Sequence, residues 1–197
     1  MREVKQNVYL FNELDEEIQN EVMENEMEFW MEKRNMEFYR DFILELKNMG
    51  FSELKPFYSL GYCQGDGCCV EGNINIEEIL EKNEDIKKQF SDSEIRRLNY
   101  IESQLYYTIK SEHHGHYYNI HYMCINGYVD GYYWMRDREL LEEAMEKFEN
   151  VITEYLNEFC EHMESVGYEM IYDRDGLREW LEESDYEYYE DGRKYWE

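Results

Sequence analysis

Apolar residues recur at intervals of three and four in two long stretches, and this spacing predicts helices. The first stretch holds no proline or glycine and lies between Asn12, a predicted N-cap, and Gly50, a predicted C-terminal stop. Residues 29–31 interrupt its stripe, so the prediction is two helices or one bent helix. The stripe is formed by Leu14, Ile18, Val22, Phe38, Phe42, Leu46 and Met49.

The second stretch has the clearest stripe in the chain and predicts an amphipathic helix that ends at Gly167. Asp173 is the predicted cap of a short helix that follows at 175–183. The stripe consists of Leu140, Leu141, Ala144, Met145, Phe148, Val151, Ile152, Tyr155, Leu156, Phe159 and Met163.

A period of two marks the predicted strands. Apolar and polar residues alternate over 68–76, and the turn at 64–67 joins this strand to another at 54–62 as a hairpin. Further strands are predicted at 8–11, 101–109 and 116–125, the last two joined by a turn at His114-Gly115. Residues 77–99 predict short polar helices, and Asp191-Gly192 predicts a hairpin turn in the tail.

Hairpins rather than strand–helix–strand crossovers predict an antiparallel sheet. The fold class predicted is α+β, an antiparallel sheet of hairpins with acidic helices packed on one face. No linker or internal repeat divides the chain, so residues 1–197 are predicted to form a single domain.

The composition is strongly acidic, with 20 Lys+Arg against 47 Asp+Glu and a net charge of -27. An aromatic content of 17% indicates a folded chain rather than a disordered acidic tail. The charge argues against direct binding of nucleic acid or anionic membrane and favours a partner with a basic surface. Residues 13–37 hold ten acids and two bases, and residues 137–197 hold 21 acids and six bases, so the helices are the acidic part.

Three features of the sequence predict a cytoplasmic protein. There is no apolar run of transmembrane length, and the first residues turn acidic too soon for a signal peptide. The five cysteines imply no even disulfide framework, which fits a reducing compartment.

Glutamates cover the predicted helix on the side opposite its apolar stripe. Such a face fits imitation of a phosphate backbone, although a general enrichment in glutamate explains it equally well. Trp134 is a candidate apolar anchor beside it. The predicted partner-binding glutamates are Glu139, Glu142, Glu143, Glu146, Glu149, Glu154, Glu158 and Glu161, and Glu164 continues the face.

The segment around 64–67 and the histidine-rich segment form a second candidate site. Two glycines flank Asp66, so the turn offers Gln64, Asp66 and backbone N–H groups to a small ligand. His114, His116 and Tyr117 would complete that pocket. The alternative is a hairpin turn in which Asp66 caps its own backbone.

Metal binding and catalysis have less support. His114, His116 and Asp66 could serve a metal-dependent enzyme, but a second pair of ligands is missing, and His113 and His121 do not share one strand face with them. Cys63 could act as a nucleophile beside His116. The sequence therefore predicts no metal, no cofactor and no enzymatic activity.

Four segments in order resemble an uncharacterised bacteriophage and prophage family that is often labelled an antitoxin of a toxin–antitoxin stability system. They are VYLFNELDEEIQNEV, YSLGYCQGDGCCVEGNI, HHGHYYNIHYM and DYEYYEDGRKYW. Cys63 and His114 depart from the family pattern, which has serine at both places. The resemblance implies a small protein of a phage or mobile element that acts inside an infected bacterial cell.

Together these observations predict an inhibitor that binds a basic host protein by nucleic-acid mimicry. The expected target is a nucleic-acid-binding defence enzyme, so the protein would be of the anti-CRISPR or anti-restriction type. The alternatives are a protein that sequesters a nucleotide signal, an antitoxin-like binder and a metal-dependent enzyme.

Overall fold

A computed structural model describes residues 7–101, 105–111, 118, 123–129 and 138–195. The fold is α+β with antiparallel sheets, as predicted. The chain divides into a terminal unit, residues 1–38 with 169–197, and a central unit, residues 39–168. A single domain spanning 1–197 remains a prediction.

The first long stretch forms one continuous helix, α1 (Glu16–Asn48). The predicted N-cap at Asn12 is wrong, because Asn12 lies in a 3-10 turn (Phe11–Glu13) and the Asp15 carbonyl accepts the first helical bond, 2.9 Å from the Gln19 amide. The predicted stop at Gly50 is confirmed. Its φ of 91° lets the chain reverse there, where a side chain would meet the backbone of Ile79.

The sheet of the central unit contains β2 (Leu54–Ser59), β3 (Gly67–Ile74), β4 (Leu105–Ser111) and β5 (Met123–Val129) in that order, all antiparallel. The hairpin of β2 and β3 is confirmed. Pro56 is tolerated because β2 is an edge strand. The prediction that the third strand begins at Ile101 is wrong, because Ile101 is the last residue of helix α4.

Three short helices separate β3 from β4, as predicted: α2 (Ile76–Lys82), α3 (Glu84–Lys87) and α4 (Asp92–Ile101). Asn83 links α2 to α3 and is only 7% exposed. Its amide donates to the Ile79 carbonyl at 2.8 Å, while its side chain accepts from the Ile86 amide at 3.0 Å. One buried residue thus ends one helix and caps the next.

The predicted amphipathic helix is α5 (Arg138–Ile171). Its predicted end at Gly167 is wrong, since the helix continues for four more residues. Phe148 contacts Tyr107 of the sheet with ring centroids 5.1 Å apart, which places the helix against one sheet face. The apolar side chains of α5 that are buried in the central unit are Leu141, Ala144, Phe148, Ile152, Leu156, Cys160 and Met163.

The terminal unit contains β1 (Tyr9–Leu10), which pairs antiparallel with β6 (Glu187–Tyr188), and helix α6 (Arg174–Glu183). The predicted cap at Asp173 is confirmed by its bond from the Gly176 amide at 2.8 Å. The tail turn at Gly192 is also confirmed, with a φ of 78°. The core of this unit is Phe11, Leu14, Val22, Met23, Trp30, Leu177, Leu181 and Tyr188.

Across the described part of the chain, none of the helices combines the length and the apolar character that crossing a bilayer requires.

Candidate functional site

Helix α5 presents a row of carboxylates on the side opposite its buried stripe. The row is called here the α5 acidic face and comprises five exposed residues, Glu143, Glu146, Glu154, Glu158 and Glu161. At about 1.5 Å per residue it extends over roughly 27 Å. Its carboxylates follow one another about every 7 Å on average, compared with one phosphate per ~3.4 Å along a DNA strand.

No cation neutralises this face within the described residues. The helix has only two basic residues of the Lys or Arg type, and both are engaged elsewhere. Arg138 pairs with Glu142 at 2.9 Å near the start of the helix, and Lys147 reaches Glu94 of α4 at 2.9 Å. Among the residues that the structure describes, the face therefore has no compensating cation along its length.

Helices α2 and α3 show the opposite arrangement. Glu78 pairs with Lys82 at 2.8 Å, and Asp85 pairs with Lys88 at 3.1 Å, at helical spacings of four and three. Acidic and basic residues thus alternate where the chain builds an ordinary solvated helix surface. Within residues 7–101, 105–111, 118, 123–129 and 138–195, the α5 acidic face has no such pairs.

The other predicted partner-binding residues differ in their surroundings. Glu139 is exposed, but it lies in the first turn of α5. Glu142 is bonded to Arg138, and Glu149 is half-buried. Trp134 lies outside the described residues.

The turn at 64–67 is organised around the Asp66 carboxylate. One of its oxygens, Oδ2, accepts bonds from the amides of Gly61 and Cys63 at 2.7 and 2.9 Å and from the Tyr168 hydroxyl at 2.6 Å. The other, Oδ1, accepts from the Ser59 hydroxyl at 2.8 Å and the Cys63 thiol at 3.0 Å. With five donors around it, this carboxylate matches the alternative in which Asp66 caps its own loop.

The surroundings of Asp66 shift the pKa values of three side chains at this turn. Burial by itself would raise the pKa of Asp66, but the bonds from Tyr168, Cys63 and Ser59 outweigh it and hold that pKa well below its usual range. Burial and the bond to Asp66 raise the pKa of the Tyr168 hydroxyl. Burial and the nearby Asp66 charge also raise the pKa of Glu164.

Tyr62 is an aromatic residue that sequence reasoning missed. Its φ of 54° is rare for a bulky residue, and its side chain is 71% exposed. The ring lies on that of Tyr168, with centroids 4.6 Å apart. Because Tyr62 and Tyr168 are far apart in the chain, no local pattern marks the pair.

The turn at 64–67 contacts Tyr118, the one described residue between positions 112 and 122. The Tyr118 amide donates to the Gly65 carbonyl at 3.1 Å. Gln64 is exposed beside this contact. The histidines and Tyr117 of the predicted pocket, namely His113, His114, His116, Tyr117 and His121, lie outside the described residues.

Three cysteines, Cys63, Cys68 and Cys160, do not resemble activated nucleophiles. The bond to Asp66 raises the pKa of the exposed Cys63 thiol, and burial raises the pKa of Cys68 and Cys160. Each therefore favours the thiol over the thiolate that acts in catalysis and metal binding. In the described parts of the chain, no group of three His, Cys, Asp or Glu side chains is placed to hold a metal ion.

Comparison with known proteins identifies a family. No curated protein matches the chain, and no solved structure does so either. Residues 30–171 match the family described as Domain of unknown function (DUF8835), and these residues are well over half of the chain. The chain therefore belongs to the DUF8835 family.

Proposed function

We propose that the protein is an inhibitor that binds a nucleic-acid-binding protein, with the α5 acidic face occupying the basic surface that normally holds phosphates. The observation that carries the proposal is the row of five exposed glutamates without a compensating cation among the described residues. A basic cleft that accepts a phosphate backbone would attract such a row by the same long-range electrostatics.

The cost of building this face supports a binding role. Carboxylates four residues apart on a helix repel each other by about 0.2–0.5 kcal/mol per pair. Glu154 and Glu158 have this spacing, and the chain could have relieved the repulsion as it does in α2, where Glu78 pairs with Lys82. Docking against lysines and arginines would remove the repulsion and release ordered counterions.

The origin and target of the inhibitor rest on the resemblance described above. It implies a phage or mobile element and a host bacterial cell, where restriction and CRISPR effectors are basic proteins that act on nucleic acid. We therefore propose a defence enzyme of this kind as the partner. An antitoxin role would use the same face on a different protein.

A salt titration with purified restriction and CRISPR effectors tests the proposal. The face variant replaces the glutamates at 143, 146, 154, 158 and 161 by glutamine. The charge-matched control neutralises five exposed acids of the terminal unit: Glu179, Glu182, Glu183, Asp185 and Glu190.

We expect binding of the unmodified protein to weaken steeply with salt and to be lost in the face variant alone. Equal weakening in the face variant and the control would show that only net charge matters. Binding that is insensitive to salt would refute the mimicry.

A small-ligand site is the second candidate, favoured by the bond from the Tyr118 amide to the Gly65 carbonyl, because Tyr118 directly follows Tyr117 of the predicted pocket. It would bind a nucleotide-like signal through Gln64, the loop amides and the His116 segment. Thermal unfolding with millimolar cyclic nucleotides tests it. No increase in melting temperature with any of them would exclude this candidate.

A further inference from the structure

A groove of about 430 Å³ lies between α3 and α5 in the central unit. This volume falls within the range of ordinary ligand sites. Its floor is apolar and its two sides are acidic. It coincides with the middle of the α5 acidic face. Six of the residues that line it are Asp85, Ile86, Val151, Glu154, Tyr155 and Glu158.

The floor of the groove is held in place by contacts below it. The Tyr155 hydroxyl donates to the Met49 sulfur at 3.2 Å, and the Tyr155 ring stacks on Phe51 with centroids 6.1 Å apart. Ile86 is 1% exposed and is therefore part of the core. An aromatic ring and aliphatic side chains thus form a surface whose shape does not depend on an occupant.

Both sides of the groove carry negative charge. Glu154 and Glu158 lie one turn apart on α5, without a cation partner among the described residues. Asp85 on the α3 side pairs with Lys88, but their side chains are 86% and 67% exposed. A pair so exposed contributes little, so Asp85 can exchange Lys88 for another cation.

We propose that this groove receives an arginine side chain of the basic partner, an inference that rests on the proposed function. The guanidinium is planar, can stack on the Tyr155 ring and can bond two carboxylates at once. Its aliphatic stem fits against Val151. A lysine ammonium is a compact, strongly hydrated charge that gains less from the aromatic floor and from paired carboxylates.

Hexa-arginine and hexa-lysine peptides are the probes, and their affinities are measured by calorimetry at low salt. The groove variant is Glu154→Gln with Glu158→Gln. The matched control is Glu143→Gln with Glu146→Gln, which removes two charges from the same helix face outside the groove lining. A third variant, Val151→Phe, fills the groove without changing the charge.

We expect the unmodified protein to prefer the arginine peptide by about tenfold, the ratio that corresponds to ~1.4 kcal/mol. The groove variant and Val151→Phe should lose this preference. The matched control should bind both peptides more weakly and keep the preference. Thermal melting of each variant establishes that it is folded.

The outcomes separate the two proposals. If the groove variant and the control keep the same preference, the groove is not an arginine site, while loss of affinity in both still supports the acidic face. If the unmodified protein binds neither peptide at low salt, both proposals fail. If folded Val151→Phe still prefers the arginine peptide, the groove is not the arginine site.

Discussion

Replacing Asp66 by asparagine tests the organisation of the 64–67 turn. The amide of asparagine can retain an acceptor oxygen at the Oδ2 position, where three donors converge. Its NH₂ group then lies near the Ser59 hydroxyl and the Cys63 thiol, which can both reverse and accept. The substitution therefore keeps most of the geometry and removes the charge. Hydrogen bonds to a charged group are roughly twice as strong as neutral ones.

The expected magnitude follows from these three bonds. If each loses about 0.5–1 kcal/mol when its acceptor becomes neutral, Asp66→Asn destabilises the central unit by about 2 kcal/mol. Asp66→Ala leaves every donor without its acceptor and should cost about 4 kcal/mol. Tyr168→Phe removes one bond from the same oxygen and should cost about 1 kcal/mol.

Urea unfolding followed by circular dichroism gives the free energies, and amide hydrogen exchange at Gly61 and Cys63 reports on the loop itself. Because Asp66 and Tyr168 share a bond, the double variant should lose less stability than the sum of the single variants. Strict additivity, or unchanged exchange at the Cys63 amide in Asp66→Asn, would refute this account of the turn.

Three further predictions concern stability. Bonds from the Ser91 amide and Lys147 lower the pKa of Glu94 to about 2. The charged carboxylate therefore contributes fully to the free energy of unfolding above its pKa in the unfolded chain, ~4.3, and this contribution is lost as the pH falls toward 2. Glu94→Gln should therefore cost about 1 kcal/mol at pH 7 and almost nothing near pH 2 in urea unfolding. Gly72→Ala should cost about 2 kcal/mol or more in the same assay, because φ is 142° and the added Cβ would collide with a backbone carbonyl. Tyr107→Phe should be neutral or stabilising by thermal melting, because the buried Tyr107 hydroxyl has no hydrogen-bond partner among the described residues.

Local sequence patterns predicted the caps and turns, which depend on neighbouring residues, and the helix with a strongly periodic apolar stripe. The stripe of α5 was predictable because its apolar residues keep a spacing of three and four over more than twenty positions. The cap at Asp173 and the turns at Gly50 and Gly192 occupy positions that accept few other residue types. The row of glutamates on α5 follows from the same periodicity.

The predictions failed or were missing where contacts beyond the local sequence determine the structure. Gly167 does not end α5, because burial of the surrounding turns outweighs the cost of about 1 kcal/mol for a glycine in a helix. Asn12 is a good cap by type, but the chain places a 3-10 turn there. The bond from Tyr168 to Asp66 joins residues 102 positions apart, and no sequence pattern indicates it.

Low-salt capture from a bacterial lysate, with elution by duplex DNA, tests the central claim most directly. The baits are the unmodified protein, the face variant and the charge-matched control. We predict that a nucleic-acid-binding protein is retained by the unmodified protein and the control, is released by DNA and is absent from the face variant. Retention of the same protein by the face variant, or failure of DNA to release it, would contradict the claim that α5 stands in for a phosphate backbone.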